Sequence, residues 1–158
     1  MTAWKKPWRY GGPWYGNDTQ RVCFERGAKR HFSTLTGLTR TSGLKAGRSY
    51  RVTLAVPHYE PRHVEILFPK RTPSLPKITA NSPTDSPHRY NTHELCIWYP
   101  QDPDQHRWVL KDVLLVLLGL IATHLFREAW WRETREWLGP EAGHPPSEHP
   151  IQGRAHHE

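Results

Sequence analysis

The chain predicts an α+β fold, an antiparallel β-meander packed against one long C-terminal helix or two shorter ones. Three stretches carry that expectation. Residues 49–56 (SYRVTLAV) alternate, with Tyr50, Val52, Leu54 and Val56 on one face and Arg51 and Thr53 on the other, the mark of a half-buried strand. Residues 62–68 (RHVEILF) repeat the pattern, Val64, Ile66 and Phe68 facing one way and His63, Glu65 and Leu67 the other. Residues 113–126 hold no Asp, Glu, Lys or Arg and open a stripe of Leu114, Leu117, Leu118, Ile121, Leu125 and Trp130, spaced as on one side of a helix.

Taken in order, residues 1–20 carry Trp4, Trp8, Tyr10, Trp14 and Tyr15 among glycines and prolines without strand or helix periodicity. A flexible arm is expected there, its rings laid on the domain surface or anchored in a partner's pockets. Residues 21–47 are weakly patterned and admit a helical turn over 21–30 and a first strand over 31–38. A turn from Pro57 to Pro61 joins the two alternating strands, and Pro69 ends the second, since proline cannot donate to a ladder. Residues 77–79 suit a short third strand, 81–87 a polar loop, and Glu94 to Trp98 an extended segment.

The helical pattern then runs over 109–138, with Gly119 or the Thr123–His124 pair as the place where it would break in two. Arg127, Glu128, Arg132, Glu133, Arg135 and Glu136 are expected to coat its later part. Glu128 and Arg132 form a favourably oriented pair one turn apart, worth a few tenths of a kcal/mol. Gly139 and Pro140 stop the helix, glycine by accepting a positive φ and proline by being unable to continue. The folded domain is thus expected over 21–144 and a His/Pro-rich tail over 145–158.

A chain of 158 residues fits one domain. A formal charge of +7 and a pI of 9.7 permit binding to nucleic acid or to an acidic protein. Lys and Arg are scattered without a compact patch, however, so the charge is assigned to solvated flanks and no nucleic-acid partner is expected. Cys23 and Cys96 could pair, but two cysteines make no disulfide framework. The start of the chain has charges but no apolar stretch of a signal peptide. The uncharged run over 113–126 falls short of the roughly 20 residues that span a bilayer. A buried helix, no membrane partner and a cytoplasmic location are therefore expected.

The chemistry points to residues 88–120. Cys96 ends a short apolar run where an extended segment gives way to a loop rich in proline and aspartate, so it is reachable by partners yet held by a rigid element. A thiolate is a strong nucleophile whose thioesters stay reactive toward amines. A free thiol titrates near a pKa of about 8.5, so a neighbour that tunes it would help. If 94–98 is extended, Leu95 and Ile97 face the core and Cys96 faces the other way. His93 would then lie on the core-facing side, which favours His88 as the residue near the thiol. Each residue has a plainer alternative: Cys96 as an inert buried cysteine, His88 and His93 as polar loop residues, Asn91 as a turn cap, Asp102 and Asp104 as turn formers, Trp108 as a core plug. Asp102 and Asp104 could otherwise orient or deprotonate an incoming amine. No zinc-type Cys-x-x-Cys or His-Glu-x-x-His spacing occurs. A site from His88, His93 and Cys96 would lack a fourth ligand unless His144 folded back, and neither metal nor cofactor is expected.

Strand, strand, a proline-bearing stretch, a loop with His and Asn, then Leu-Cys-Ile and a Trp before a long helix: this order resembles the ubiquitin-conjugating-enzyme fold. Within that superfamily the chain is most similar to bacterial conjugating-enzyme-like proteins, through His88-Arg-Tyr90, Leu95-Cys96, Trp108 and Trp137-Leu-Gly139-Pro-Glu141-Ala-Gly-His144. The resemblance implies cysteine-dependent acyl transfer, with Cys96, His88 and Asn91 as the catalytic group and His93, Asp102, Asp104 and His144 in support. It also implies an antiphage system built on cyclic-oligonucleotide signalling, in which the partner is the C-terminal tail of the signalling nucleotidyltransferase or a ubiquitin-like protein. Eukaryotic relatives carry a His-Pro-Asn tripeptide whose Asn supports the oxyanion; this chain has His88-Arg-Tyr-Asn91 instead. No adenylation loop is present, so the acyl group is expected from a separate activating protein or from a pre-activated or self-processed partner. The alternatives are a non-catalytic protein-binding module of the same fold and a basic nucleic-acid-binding protein.

Overall fold

The computed structural model describes residues 12–91, 93–99 and 101–139. A single 3-10 turn over Trp14–Gly16 leads into helix α1 (Asp18–His31), followed by strands β1 (Thr36–Arg40), β2 (Gly47–Val56), β3 (Tyr59–Pro69) and β4 (Lys77–Ala80), and then, after a long loop, helix α2 (Val113–Thr134). The strands pair antiparallel in the order β1-β2-β3-β4, so the fold is the expected α+β meander with a C-terminal helix.

Register explains the core. Val52 pairs with Val64 and Tyr50 with Ile66 across β2 and β3, while Ile66 pairs with Ile78 and Val64 with Ala80 across β3 and β4. Directly opposed residues share a face, so the apolar residues of three strands form one continuous surface. Leu114, Leu117, Leu118, Ile121 and Leu125 of α2 are buried in the same cluster, as are Phe24 and Ala28 of α1. By length and composition Leu110–Thr134 could cross a membrane, yet its inward stripe is the core of this domain.

The inward rows of β2 and β3 each end on an arginine. Arg48 continues the inward side of β2 and meets Glu25 of α1 at 2.5 Å; the same carboxylate accepts from Tyr50 at 2.7 Å and pairs with Lys29 at 2.6 Å. Arg62 opens the inward row of β3 and faces Glu128 of α2 at 3.9 Å. Buried charges persist only when paired, and the sheet and its two helices supply both halves of each pair.

Several expectations are corrected. In the N-terminal stretch expected to be an arm, Trp14 is 3 % exposed and Tyr15 is buried with it. The Trp14 indole donates to Pro73 O at 2.6 Å, and its ring meets Phe24 and Phe68. The Asn17 side chain caps α1 by accepting from Gln20 N, an N-cap interaction. The folded body therefore starts before residue 21, and residues 1–11 lie outside the described ones. Helix α1 spans far more than one turn, and β1 begins later than residue 31. Pro61 lies within β3, not in a turn; the β2–β3 register shifts between Leu54 and Val56, so no ladder bond is required of it. Helix α2 passes unbroken through Gly119 and His124. It stops at Arg135, which takes φ 65° with its N–H on Trp131 O, ahead of Gly139 and Pro140. Gly139 still adopts φ +95°. Pro140 and the tail expected over 145–158 lie outside the described residues.

Candidate functional site

The loop between β4 and α2 folds into a small hairpin hooked onto the sheet edge. Residues 93–95 run along β4, with Leu95 N on Ile78 O at 2.8 Å and Ala80 N on His93 O at 3.3 Å. Residues 88–90 pair with the outer side of this segment, Cys96 N donating to His88 O at 3.0 Å and Tyr90 N to Glu94 O at 3.1 Å. Asn91 makes the turn: its Oδ1 accepts from His93 N at 2.9 Å and Glu94 N at 2.8 Å, as Asn side chains do in Asx turns. The extended stretch expected over 94–98 is thus only two bridged residues, Glu94 and Leu95.

Alternation along that stretch separates its side chains. Leu95 joins the apolar cluster and Ile97 packs against it, while Cys96 stands outside the cluster. Cys96 is 5 % exposed, and its thiol donates to Trp98 O at 3.9 Å. The Tyr90 hydroxyl donates to that same oxygen at 2.6 Å. Burial pushes the Cys96 thiol above its ordinary range; the Tyr90 hydroxyl pulls it back, and the Asp102 and Glu94 carboxylates push it further up. The resting sulfur is a protonated thiol in polar surroundings. A groove of about 200 Å³ is lined by its chain neighbours Leu95 and Ile97 with Tyr90, Glu94 and Trp98, while Cys96 itself is not part of the lining.

The remaining expected site residues sit as follows. His88 reaches Cys96 through its backbone carbonyl; its ring lies against Trp137, with centroids 4.1 Å apart. Two separate motif fragments therefore meet here, His88 of the first and Trp137 of the last. His93 is exposed, and with Thr53, His63 and Asn81 it lines a shallow pocket on the open face of the sheet. Asp102 Oδ2 accepts from Tyr99 N at 3.2 Å and its carbonyl from Arg107 at 2.9 Å, while Asp104 opens a 3-10 turn and pairs with Arg107 at 2.8 Å. Trp108 is buried among Phe24, Phe68 and Trp98 and donates its indole N–H to Val113 O at 3.0 Å. His144 lies outside the described residues. Among the described residues no group of three or more His, Cys, Asp and Glu side chains could hold a metal ion.

The sequence reading missed the residues that hold the hairpin. Arg89 grips Glu128, and Arg132 spans Glu128 at 3.2 Å and Asp85 at 2.8 Å. Arg62 binds Asn81 O and Pro83 O. Glu128, expected on the outer coat of the helix, is 0 % exposed. Burial opposes its charge, yet His124 and Arg89 hold its carboxyl down at about 2. The signal was present: Glu128 falls on the same helical stripe as Ile121 and Leu125.

A family model described as the type II CBASS E2 protein matches residues 19–145. The chain belongs to that family. No curated protein and no solved structure matches it. Membership makes this a bacterial antiviral-defence protein with an E2-like role in conjugation and a protein partner within the same defence system. The matched span starts inside α1 and covers the sheet, the Cys96 hairpin and all of α2.

Proposed function

We propose that this CBASS E2 protein carries an acyl group on Cys96 as a thioester and passes it on during conjugation of a partner protein's C-terminus, that of the system's signalling nucleotidyltransferase. One observation supports this most: in a chain of the conjugating family, Cys96 ends a hydrogen-bonded hairpin outside the apolar cluster, with its two chain neighbours lining the adjacent groove. The Cys96 thiolate adds to the carbonyl carbon of an activated acyl donor, a thioester on a separate protein. The new C–S bond forms, the donor's C–S bond breaks, and the donor sulfur leaves with its electron pair. An amine then attacks the Cys96 thioester and releases the thiolate. The compartment this reading implies is the cytoplasm.

The covered sulfur and its raised thiol favour a second reading, a binding module of the same fold that holds a partner tail without chemistry. Incubation with the activating protein and the nucleotidyltransferase separates the two. The transfer reading expects an adduct on non-reducing gels that a thiol reagent removes, that Cys23→Ala keeps and that Cys96→Ala abolishes. Absence of any adduct, with tail binding retained in Cys96→Ser, establishes the binding module instead.

A further inference from the structure

We propose that Tyr90 is a catalytic residue of this site, the hydrogen-bond donor that supports the oxyanion formed when Cys96 is acylated. The inference rests on the acyl-transfer reading above and assigns a role that reading leaves empty. The Asn91 side chain is fixed in the turn, its Oδ1 accepting from two backbone N–H groups, and no contact ties it to the sulfur among the described residues. The His88 ring lies tilted against Trp137, just past the end of α2. Tyr90 is the side chain that converges on the reacting atom: its hydroxyl sits 2.6 Å from Trp98 O, the oxygen that the sulfur itself faces at 3.9 Å.

The phenol has the properties such a donor needs. Burial, followed by the neighbouring Cys96, Glu94 and Tyr99, holds its pKa above the ordinary value, so it keeps its proton throughout the working range. Tyr90 is 48 % exposed, so its ring can turn toward an entering acyl group. Trp98 O is its resting acceptor. As thiolate attack moves an electron pair onto the acyl oxygen, the hydroxyl transfers its hydrogen bond from Trp98 O to that oxygen, and collapse of the intermediate returns it. No proton is lost from Tyr90 in the cycle. A donor that meets the oxygen where charge develops lowers such barriers, and here it needs only to exchange Trp98 O for that oxygen.

The titratable groups that act on the sulfur electrostatically or share its surroundings are Tyr90, Tyr99, Asp102 and Glu94, and the test separates Tyr90 from the others. The full chain with Cys23→Ser presents Cys96 as its one thiol. The probe is a glycine-ended peptide thioester of mercaptoethanesulfonate, with single-turnover acylation followed by intact mass, and iodoacetamide alkylation is measured against pH. Tyr90→Phe is expected to slow acylation about a hundredfold at a pH above both alkylation midpoints, where every chain is thiolate. It is also expected to move the alkylation midpoint upward, since a donor to the thiolate is gone. Acylation within about twofold of the parent at that pH overturns the proposal while leaving the transfer reading intact, as does an equal loss in Tyr99→Phe. A parent chain that alkylates but never acylates overturns both.

Discussion

Arg89 holds Glu128 with two nitrogens of one guanidinium edge, Nε on Oε1 at 2.8 Å and Nη2 on Oε2 at 2.7 Å. Arg89 belongs to the hairpin that presents Cys96, bridging Leu95, and Glu128 belongs to α2. This one bidentate pair therefore ties the cysteine's support to the helix that closes the core. Bidentate Arg–carboxylate pairs fix geometry as well as adding energy.

Glu128→Gln is expected to cost about 3–5 kcal/mol, because it leaves the guanidinium of Arg89 buried without its counter-charge. Urea denaturation at neutral pH measures the loss.

Acid is expected to do the same by degrees. The folded pKa of Glu128 is about 2 against an ordinary 4.5. A carboxyl lowered in the folded state stabilises it above the unfolded pKa and loses that contribution as pH falls through the folded one. Stability should therefore decline between about pH 4.5 and 2 by about 3 kcal/mol from this group. In Glu128→Gln that part of the decline should be missing from urea midpoints taken across the same range.

Asp102→Asn is expected to make Cys96 more reactive at neutral pH. The carboxylate pushes the thiol up, so its neutral isostere should lower the midpoint of iodoacetamide alkylation in the Cys23→Ser chain. Asn keeps an acceptor for Tyr99 N, so the turn is retained. An unchanged or higher midpoint contradicts the electrostatic account.

Trp14→Ala is expected to cost about 3–5 kcal/mol, the usual range for a large aromatic removed from a core. Deleting residues 1–20 should cost at least as much, since it also removes Tyr15 and the Asn17 cap. A stable truncated domain in urea would show that this segment only decorates the surface.

Gly119→Ala is expected to stabilise the protein by about 1 kcal/mol, the propensity difference between the two residues in a helix. Gly119 is exposed within unbroken α2, and a Cβ there meets nothing within 4 Å. Thermal unfolding of the variant reads the gain.

The regular part of this fold was legible because its signals are local. Alternation in β2 and β3 names the inward residues Tyr50, Val52, Val64 and Ile66, and those residues line the core. The Leu95 and Ile97 anchors followed from the same alternation. What escaped depends on partners distant in the chain. Trp14 looks like an arm residue until Phe68 and Pro73 are beside it. Glu128 looks like helix coat until Arg89, far upstream, arrives. The helix end was misplaced because Gly139 and Pro140 are the stronger stop signals, whereas Arg135 takes the left-handed turn without glycine's help. At the site, Cys96 was singled out by its position at the end of an apolar run together with the family resemblance, whereas the surroundings of its sulfur come from loop folding that no periodicity encodes.

The meander pairs each strand with its neighbour in the chain, so its closures are short and quickly made. Its inward face, however, is covered only in part by α1 and Trp14, against Tyr50 and Phe68, until α2 arrives from the far end of the loop. On the ribosome, where N-terminal parts fold first, the nascent sheet emerges with the rest of its inward face toward water. It stays greasy until the last described helix is released. That interval is when a chaperone would hold the chain, and any truncation before Thr134 makes the interval permanent.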